Sequence, residues 1–410
     1  MVECNTISKS NKKEEKLSVW VVSLSCICSL VQLYALAHDS NALISYSARA
    51  LQVIWLLAGG IVLFNKCRTL FPQKMLGIMY TLLLSVISLD LAAVVDTSKF
   101  ANNGIHLLGF LTLPLMLFYS AYRNTEKAKK TVILFHVCAS FIYLSLYHSP
   151  MRHVFTGEYG EINMDAVTLG YNNPNLTAMF LLVCVIGLVT GVFYFKAPIA
   201  KVLLSADAVY MSWILLQTRS RAADLILVAF LVMSIVAIKK EITKRWCNAA
   251  FIVPLIYLII PLISAEIVQI SFQGESLYNG REMIYAGYLE QLNLASLLLG
   301  DMNTFCFGNL HNGYISIAAS VGIPACLCYV HFMKTCLSWN IPMSNAPKYE
   351  RIAFVGFLCL IMQTSAESSF LVGGSMFAML VFSVYILFAK PYQKSNHQEN
   401  SQNGISTCAW

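Results

Sequence analysis

Charge is what this chain has least of. Asp, Glu, Lys and Arg together make up 12% of its 410 residues, where a soluble domain carries about 25%. That shortage excludes a separate water-soluble domain. A disulfide framework is missing too: the 13 cysteines are scattered, most of them inside apolar runs, with no zinc-ligand spacing. They are expected to be small, polarizable core residues, and no metal or other cofactor is expected. The net charge of +7 does not point to nucleic acid, because the basic residues are dispersed through short loops. Internal repeats and inverted symmetry of hydropathy are also lacking.

What the chain has is apolar length. Hydrophobic residues make up 57% of it, in runs of roughly 17–25 residues that suit a bilayer core of about 30 Å. The expected fold is all-α: a polytopic transmembrane helical bundle of about 12 spans. They fall near 17–37, 45–64, 75–95, 103–121, 129–147, 174–195, 200–217, 222–238, 249–270, 312–333, 352–370 and 372–389. Lys9, Lys12, Lys13 and Lys16 precede the first run as a signal-peptide n-region would, but no small-residue cleavage motif follows, so the run reads as a retained span. Residues 1–390 form a single membrane domain, and the polar 391–410 tail is expected to be disordered and cytoplasmic.

The basic residues set the orientation. Lys66, Arg68, Lys127, Lys129, Lys130, Lys196, Lys201, Lys239, Lys240, Lys244, Lys334, Lys348 and Arg351 all fall on one side when the N-terminus is cytoplasmic. The outer side then carries few: Arg49, Lys99, Arg152, Arg219, Arg221 and Arg281. Two long outer segments follow, 148–173 and 271–310. The second contains a helical pattern over 281–299, with Tyr285, Tyr288, Leu289, Leu292 and Leu299 on one face and Gly287 and Glu290 opposite. That pattern predicts an amphipathic helix lying in the membrane surface.

Several outer residues could carry chemistry. Arg219 and Arg221 sit in a short connection on the side that disfavours arginine, near the hydrocarbon edge where a cation is costly. Their guanidinium forks suit phosphate oxygens; the plainer reading is an ion pair between Arg221 and Asp224, three residues on. Arg281 opens the amphipathic stretch and reads as a phosphate ligand or a snorkelling interfacial residue. His311, just before span ten, can accept a proton from an attacking hydroxyl or can simply cap the span. Asn173 and Pro174 read as the N-cap and first residue of span six. Glu367 ends span eleven, where it could assist a base, pair with an arginine or stand solvated. Asp90, Asp207 and Glu266 lie in or near spans without a defensible pairing.

In order, these segments resemble the bacterial O-antigen ligase and polymerase superfamily. Thr218-Arg-Ser220-Arg221-Ala-Ala looks like its Ser-Arg-Gly/Ala signature, and Asn279-Gly280-Arg281 is similar to the opening of its large outer loop. Leu299-Gly300-Asp301 resembles a Leu/Phe-Gly-x-Gly that here lacks the second glycine. His311-Asn312-Gly-Tyr314 is similar to His-Asn-x-Tyr/Phe, and Asn173-Pro174-Asn175 matches an Asn-Pro-Asn before the central spans. The likeness covers roughly 170–330; at the end of the His-Asn segment Pro324 stands where the family has a glycine.

The resemblance implies a metal-independent, inverting glycosyltransferase of the bacterial inner (plasma) membrane, with its active site facing outside. Donor and acceptor would be glycans on undecaprenyl diphosphate, within membrane lipid and with room for a chain-length regulator as partner. Arg221, Arg281 and Arg219 would hold the diphosphate, His311 would be general base, and Asn312, Tyr314, Asn173, Asn175 and Glu367 would line the substrate. Polymerase and ligase remain alternatives. A polytopic glycolipid transporter or flippase is the reading from a different class; it calls for broken helices at matching positions in two halves, which the sequence does not display.

Overall fold

The computed structural model describes residues 2–38, 47, 50–51, 54, 125–153, 165–171, 173–263, 271–272, 275–276, 281–301, 304–305, 310–367 and 375–389. Expected spans three and four, span two apart from residues 47, 50–51 and 54, and the 391–410 tail lie outside them.

The described chain is helical: α1 (Val2–Ala37), α2 (Glu126–Tyr147), a 3-10 turn (Pro150–His153), α3 (Pro174–Tyr194), α4 (Pro198–Gln217), α5 (Arg221–Lys239) and α6 (Lys244–Ile263). Beyond these come α7 (Arg281–Glu290), α8 (Leu294–Leu299), α9 (Gly313–Trp339), α10 (Lys348–Gln363) and α11 (Ser375–Phe388). The exception to all-α is a two-residue antiparallel pair, Ser271–Phe272 with Glu275–Ser276. Among the described residues, six helices are long and apolar enough to cross a membrane: the Val19–Ala37 part of α1, then α2, α3, α4, α5 and α9. Helix α3 is the centre of the bundle, with 78% of its apolar window buried against 28% for α4 and α5. The outward sides of those two helices are aliphatic, with Ile199, Val209, Leu225 and Val228 exposed, as suits surfaces facing hydrocarbon.

Contacts at the helix ends sort the bundle into two ends. At one end Lys129 of α2 reaches Glu350 of α10 at 2.7 Å, Tyr194 donates to the Glu126 carbonyl, and Arg351 donates to the Lys240 and Ser344 carbonyls. This end gathers the basic loops. At the other end Val167 N–H donates to the Gln217 carbonyl, Thr177 Oγ1 to Thr168, and Gly313 N–H to Thr364. Thus α5 and α10 run antiparallel, and the Arg221 end of α5 stands level with the Gln363–Glu367 end of α10. Asp207, midway along α4, accepts a 2.6 Å hydrogen bond from Ser140 of α2. Asp90 and Glu266 lie outside the described residues.

Two expectations are corrected. The 281–299 stretch is not one helix. It breaks after Glu290, and Asn293 starts α8 with a capping box: its side chain accepts from Ser296 N–H while Ser296 Oγ accepts from Asn293 N–H. Asn293 favours a cap over a helix interior, because its side chain competes for backbone donors. Of the predicted apolar face, Tyr285 and Tyr288 are buried within the protein, whereas Leu289 is 41% exposed. Span eleven also ends early, at Gln363. The Thr364 and Ser365 hydroxyls donate back to Ile361 and Met362, closing the helix so that Glu367 sits in the turn beyond it.

Helix α9 is broken at Gly322 (φ 84, ψ 159), two residues before Pro324. Pro324 has no N–H for the ladder, and α8 fills the gap. A Cβ on Gly322 would overlap the Leu298 backbone, and one on Gly300 (φ 79) would meet the Ser320 and Val321 backbone. Asp301 N–H donates to Ala319 at 2.7 Å, and Ser320 Oγ to Phe305. Two glycines therefore let α8 and α9 touch backbone to backbone. Gly322→Ala is expected to cost at least about 2–3 kcal/mol, from a positive φ on a non-glycine residue together with the backbone clash. Gly287→Ala, whose new Cβ meets nothing within 4 Å, should be neutral or slightly stabilising. Unfolding midpoints in detergent read both.

Candidate functional site

The end opposite the basic loops brings three of the expected residues into contact. Arg281 opens α7, His311 precedes α9, and Glu367 follows α10. Arg281 Nη2 donates to Glu367 Oε1 at 3.2 Å, both side chains being largely buried. His311 Nδ1 stands 3.6 Å from Glu367 Oε2 and has no hydrogen-bond partner. That distance is long for a hydrogen bond and within ion-pair range of a protonated imidazole. One carboxylate therefore faces a guanidinium with one oxygen and an imidazole with the other.

Local sequence explains the placement. Asn312 is fully buried and caps α9, its Oδ1 accepting from Tyr314 and Ile315 N–H. Its Nδ2 donates to the carbonyls of Pro254 in α6 and Ser365 after α10. With Gly313 N–H on Thr364, the α9 start is tied to the α10 end. His311 takes a left-handed backbone conformation (φ 49) to enter this cap, a strain of the kind found at functional positions. On the α7 side, Tyr285 and Tyr288 pack with Leu310, Ile315 and Ala319 in a small second core, which holds Arg281 over Glu367.

The remaining expected residues share this end, with differing roles. Arg221 is the first residue of α5, where the helix dipole already presents positive charge, so an anion there is favoured twice. Asp224 Oδ1 is buried and accepts no hydrogen bond. Arg219, also left-handed (φ 58), reaches Asp165 at 3.5 Å with both side chains mostly exposed, an ion pair of little energetic weight. Asn173 caps α3 as the sequence predicts, accepting from Asn175 N–H at 2.8 Å, with Pro174 following. Tyr314 is buried and donates to the Phe251 carbonyl at 2.8 Å. The side chains of Asn312 and Tyr314 are thus engaged with backbone, and they hold the helices that carry His311.

Sequence reading does not single out Arg152, Gln217 or Gln363. Arg152 lies over the Tyr147 ring at 4.2 Å and donates to Gln217 Oε1, pinning the segment after α2 to the end of α4. Gln363 is buried beneath Glu367 with neither amide atom hydrogen-bonded; its position four residues before Glu367 is the signal that could have found it. Among the described residues no group of three or more His, Cys, Asp or Glu could hold a metal ion. Comparison with protein-family models, with curated proteins and with solved structures finds no match.

The shared carboxylate makes a direct prediction. Glu367→Ala leaves Arg281 largely buried without this partner and should cost about 1–3 kcal/mol. In a double-mutant cycle with Arg281→Ala, the combined cost should fall below the sum of the two. Denaturation midpoints of the purified protein measure it, and strictly additive costs would mean that the pair does not form.

Proposed function

We propose that this chain is a membrane glycosyltransferase that moves a glycan from undecaprenyl diphosphate to a sugar hydroxyl, in the first instance as a polymerase of lipid-linked repeat units. What carries the reading is the Arg281–Glu367–His311 contact, at the end of the bundle where α5 presents Arg221. A base, the carboxylate that steadies it and diphosphate-binding guanidiniums are what such a transfer needs. The ordered motifs over 170–330 agree with it.

In this mechanism Glu367 faces Nδ1 of His311, which leaves Nε2 to take the proton from the acceptor hydroxyl. The acceptor oxygen attacks the anomeric carbon from the side away from the diphosphate, a new C–O bond forms as the bond to the diphosphate breaks, and the anomeric configuration inverts. Charge gathering on the departing diphosphate is met by Arg221 and Arg281, with Arg219 at the rim. The proton stays on His311, stabilised by Glu367, until it passes to solvent. Chain outcome separates polymerase from ligase: cells lacking the protein accumulate single lipid-linked units in the first case and full-length chains stranded on the carrier in the second.

One observation favours a second reading. The break of α9 at Gly322 is the kind of discontinuous helix that transporters use, although they place two at corresponding positions. A flippase or exporter role would leave lipid-linked units on the inner leaflet of cells lacking the protein.

Arg221→Ala, Arg281→Ala and His311→Ala are each expected to abolish glycan chain extension while the protein remains in the membrane. Gel profiles of surface polysaccharide read this, and long chains persisting in all three variants would remove the enzymatic reading. The orientation is checked separately: a reporter active only outside the membrane should work when fused near Ser276 and fail near Lys240. The opposite pattern would turn the cluster toward the cytoplasm.

A further inference from the structure

Gln363 ends α10 and is 1% exposed, yet neither its amide nitrogen nor its oxygen has a hydrogen-bond partner. A buried primary amide ordinarily satisfies both ends, and leaving them unmade is costly. Glu367 N–H donates to the Gln363 carbonyl at 3.1 Å, so the two residues are one helical turn apart on one face. Gln363 therefore lies one turn deeper than the carboxylate that meets Arg281 and His311.

A second orphan lies in the first turn of α9. Ser316 lies one turn into α9 from Asn312, is 1% exposed, and its hydroxyl has no partner. The bond from Gly313 N–H to Thr364 ties the α9 start to the α10 end, three residues before Ser316 and one after Gln363. Asp224, in the first turn of α5, is a third residue at this end with an unpartnered buried polar atom, its Oδ1. At the same end the side chains of Asn312, Tyr314, Thr364 and Ser365 find partners, while the Ser220 hydroxyl at the start of α5 does not. Buried side-chain atoms without partners occur elsewhere in the bundle too, both amide atoms of Gln32 among them; Gln363 and Ser316 are set apart by their place beside the charged cluster, Gln363 one turn before Glu367 and Ser316 one turn after Asn312.

We infer that Gln363 and Ser316 form the hydroxyl-recognising floor of this site, the Gln363 amide donating to and accepting from hydroxyls of a pyranose ring of the lipid-linked glycan while Ser316 binds another. The inference rests on the glycosyltransferase reading and deepens it. Sugar hydroxyls fit because each both donates and accepts, so one ring can answer both ends of an amide. The diphosphate belongs to the arginines above and the glycan to this floor.

The test uses the full chain in lipid nanodiscs and two probes: bare undecaprenyl diphosphate, and the lipid-linked glycan extracted from cells lacking this protein. Wild type should bind the glycosylated carrier about tenfold more tightly than the bare one. Gln363→Leu should bind both at the bare-carrier level. Without ligand it should melt at or above the wild-type temperature, because an orphaned amide has been replaced by an apolar side chain of similar volume. Should the leucine variant fail to fold, Gln363→Met and Ser316→Ala are read in the same way. A wild type that does not distinguish the carriers, or a variant that keeps the full preference, overturns the floor and leaves the transferase reading standing. A wild type that binds neither carrier removes both.

Discussion

A helix that stops inside an apolar bundle leaves carbonyl groups that must find donors, because no water is at hand to supply them. Helix α10 stops at Gln363, and the carbonyls of Thr364 and Ser365 are answered by Gly313 N–H and the Asn312 side chain. The same Asn312 caps α9 and reaches Pro254 of α6. One buried amide thereby joins three helices, and the residue before it, His311, has nowhere to stand except beside the residue that follows the α10 turn, Glu367. The contact between imidazole and carboxylate is a by-product of backbone satisfaction. This is why a strained His311 backbone is tolerated: the cap over-determines it.

The charged cluster is held from a second direction by aromatic packing. Tyr285 and Tyr288 bury one face of α7 against the start of α9, and Tyr288 meets Phe305 edge to face at 5.1 Å. Arg281 begins the same helix and is carried over Glu367. Charge and apolar contact thus act on one short segment. The ion pair alone would be a weak anchor, since desolvation offsets much of its attraction; the tyrosines supply the burial that fixes its geometry.

Much of the frame is legible in the sequence because hydropathy and lysine placement are direct consequences of the membrane. The Asn173-Pro174 start of α3 could be read from cap chemistry alone, and the gathering of basic loops at one end follows from counting residues. Other elements were not legible, for physical reasons. The 281–299 stretch keeps a helical period through Asn293, so only the capping box tells that two helices share it. The end of α10 at Gln363 depends on hydroxyls bonding back to carbonyls, which serine and threonine also do inside a continuing helix, as Thr190 does to Ile186 in α3. The break in α9 needs both Gly322 and a partner to fill it, and that partner, Gly300, lies 22 residues earlier. Of the expected site, Arg281, His311 and Glu367 meet because of long-range bonds that no local pattern encodes. Asn312 and Tyr314 belong to the scaffold beneath them.

The seating of α8 against α9 also bears on how the protein is made. Six residues span about 9 Å along a helix axis, too short for any insertion machinery to treat α8 as a membrane segment of its own. Its carbonyl at Leu298 and the backbone at Gly300 find their places only when the α9 chain, synthesised afterwards, has already turned at Gly322. The charged cluster is therefore completed late in biogenesis, after α9 and α10 have both left the ribosome, and a chain truncated before Thr364 would carry the arginines and the histidine with nothing to gather them.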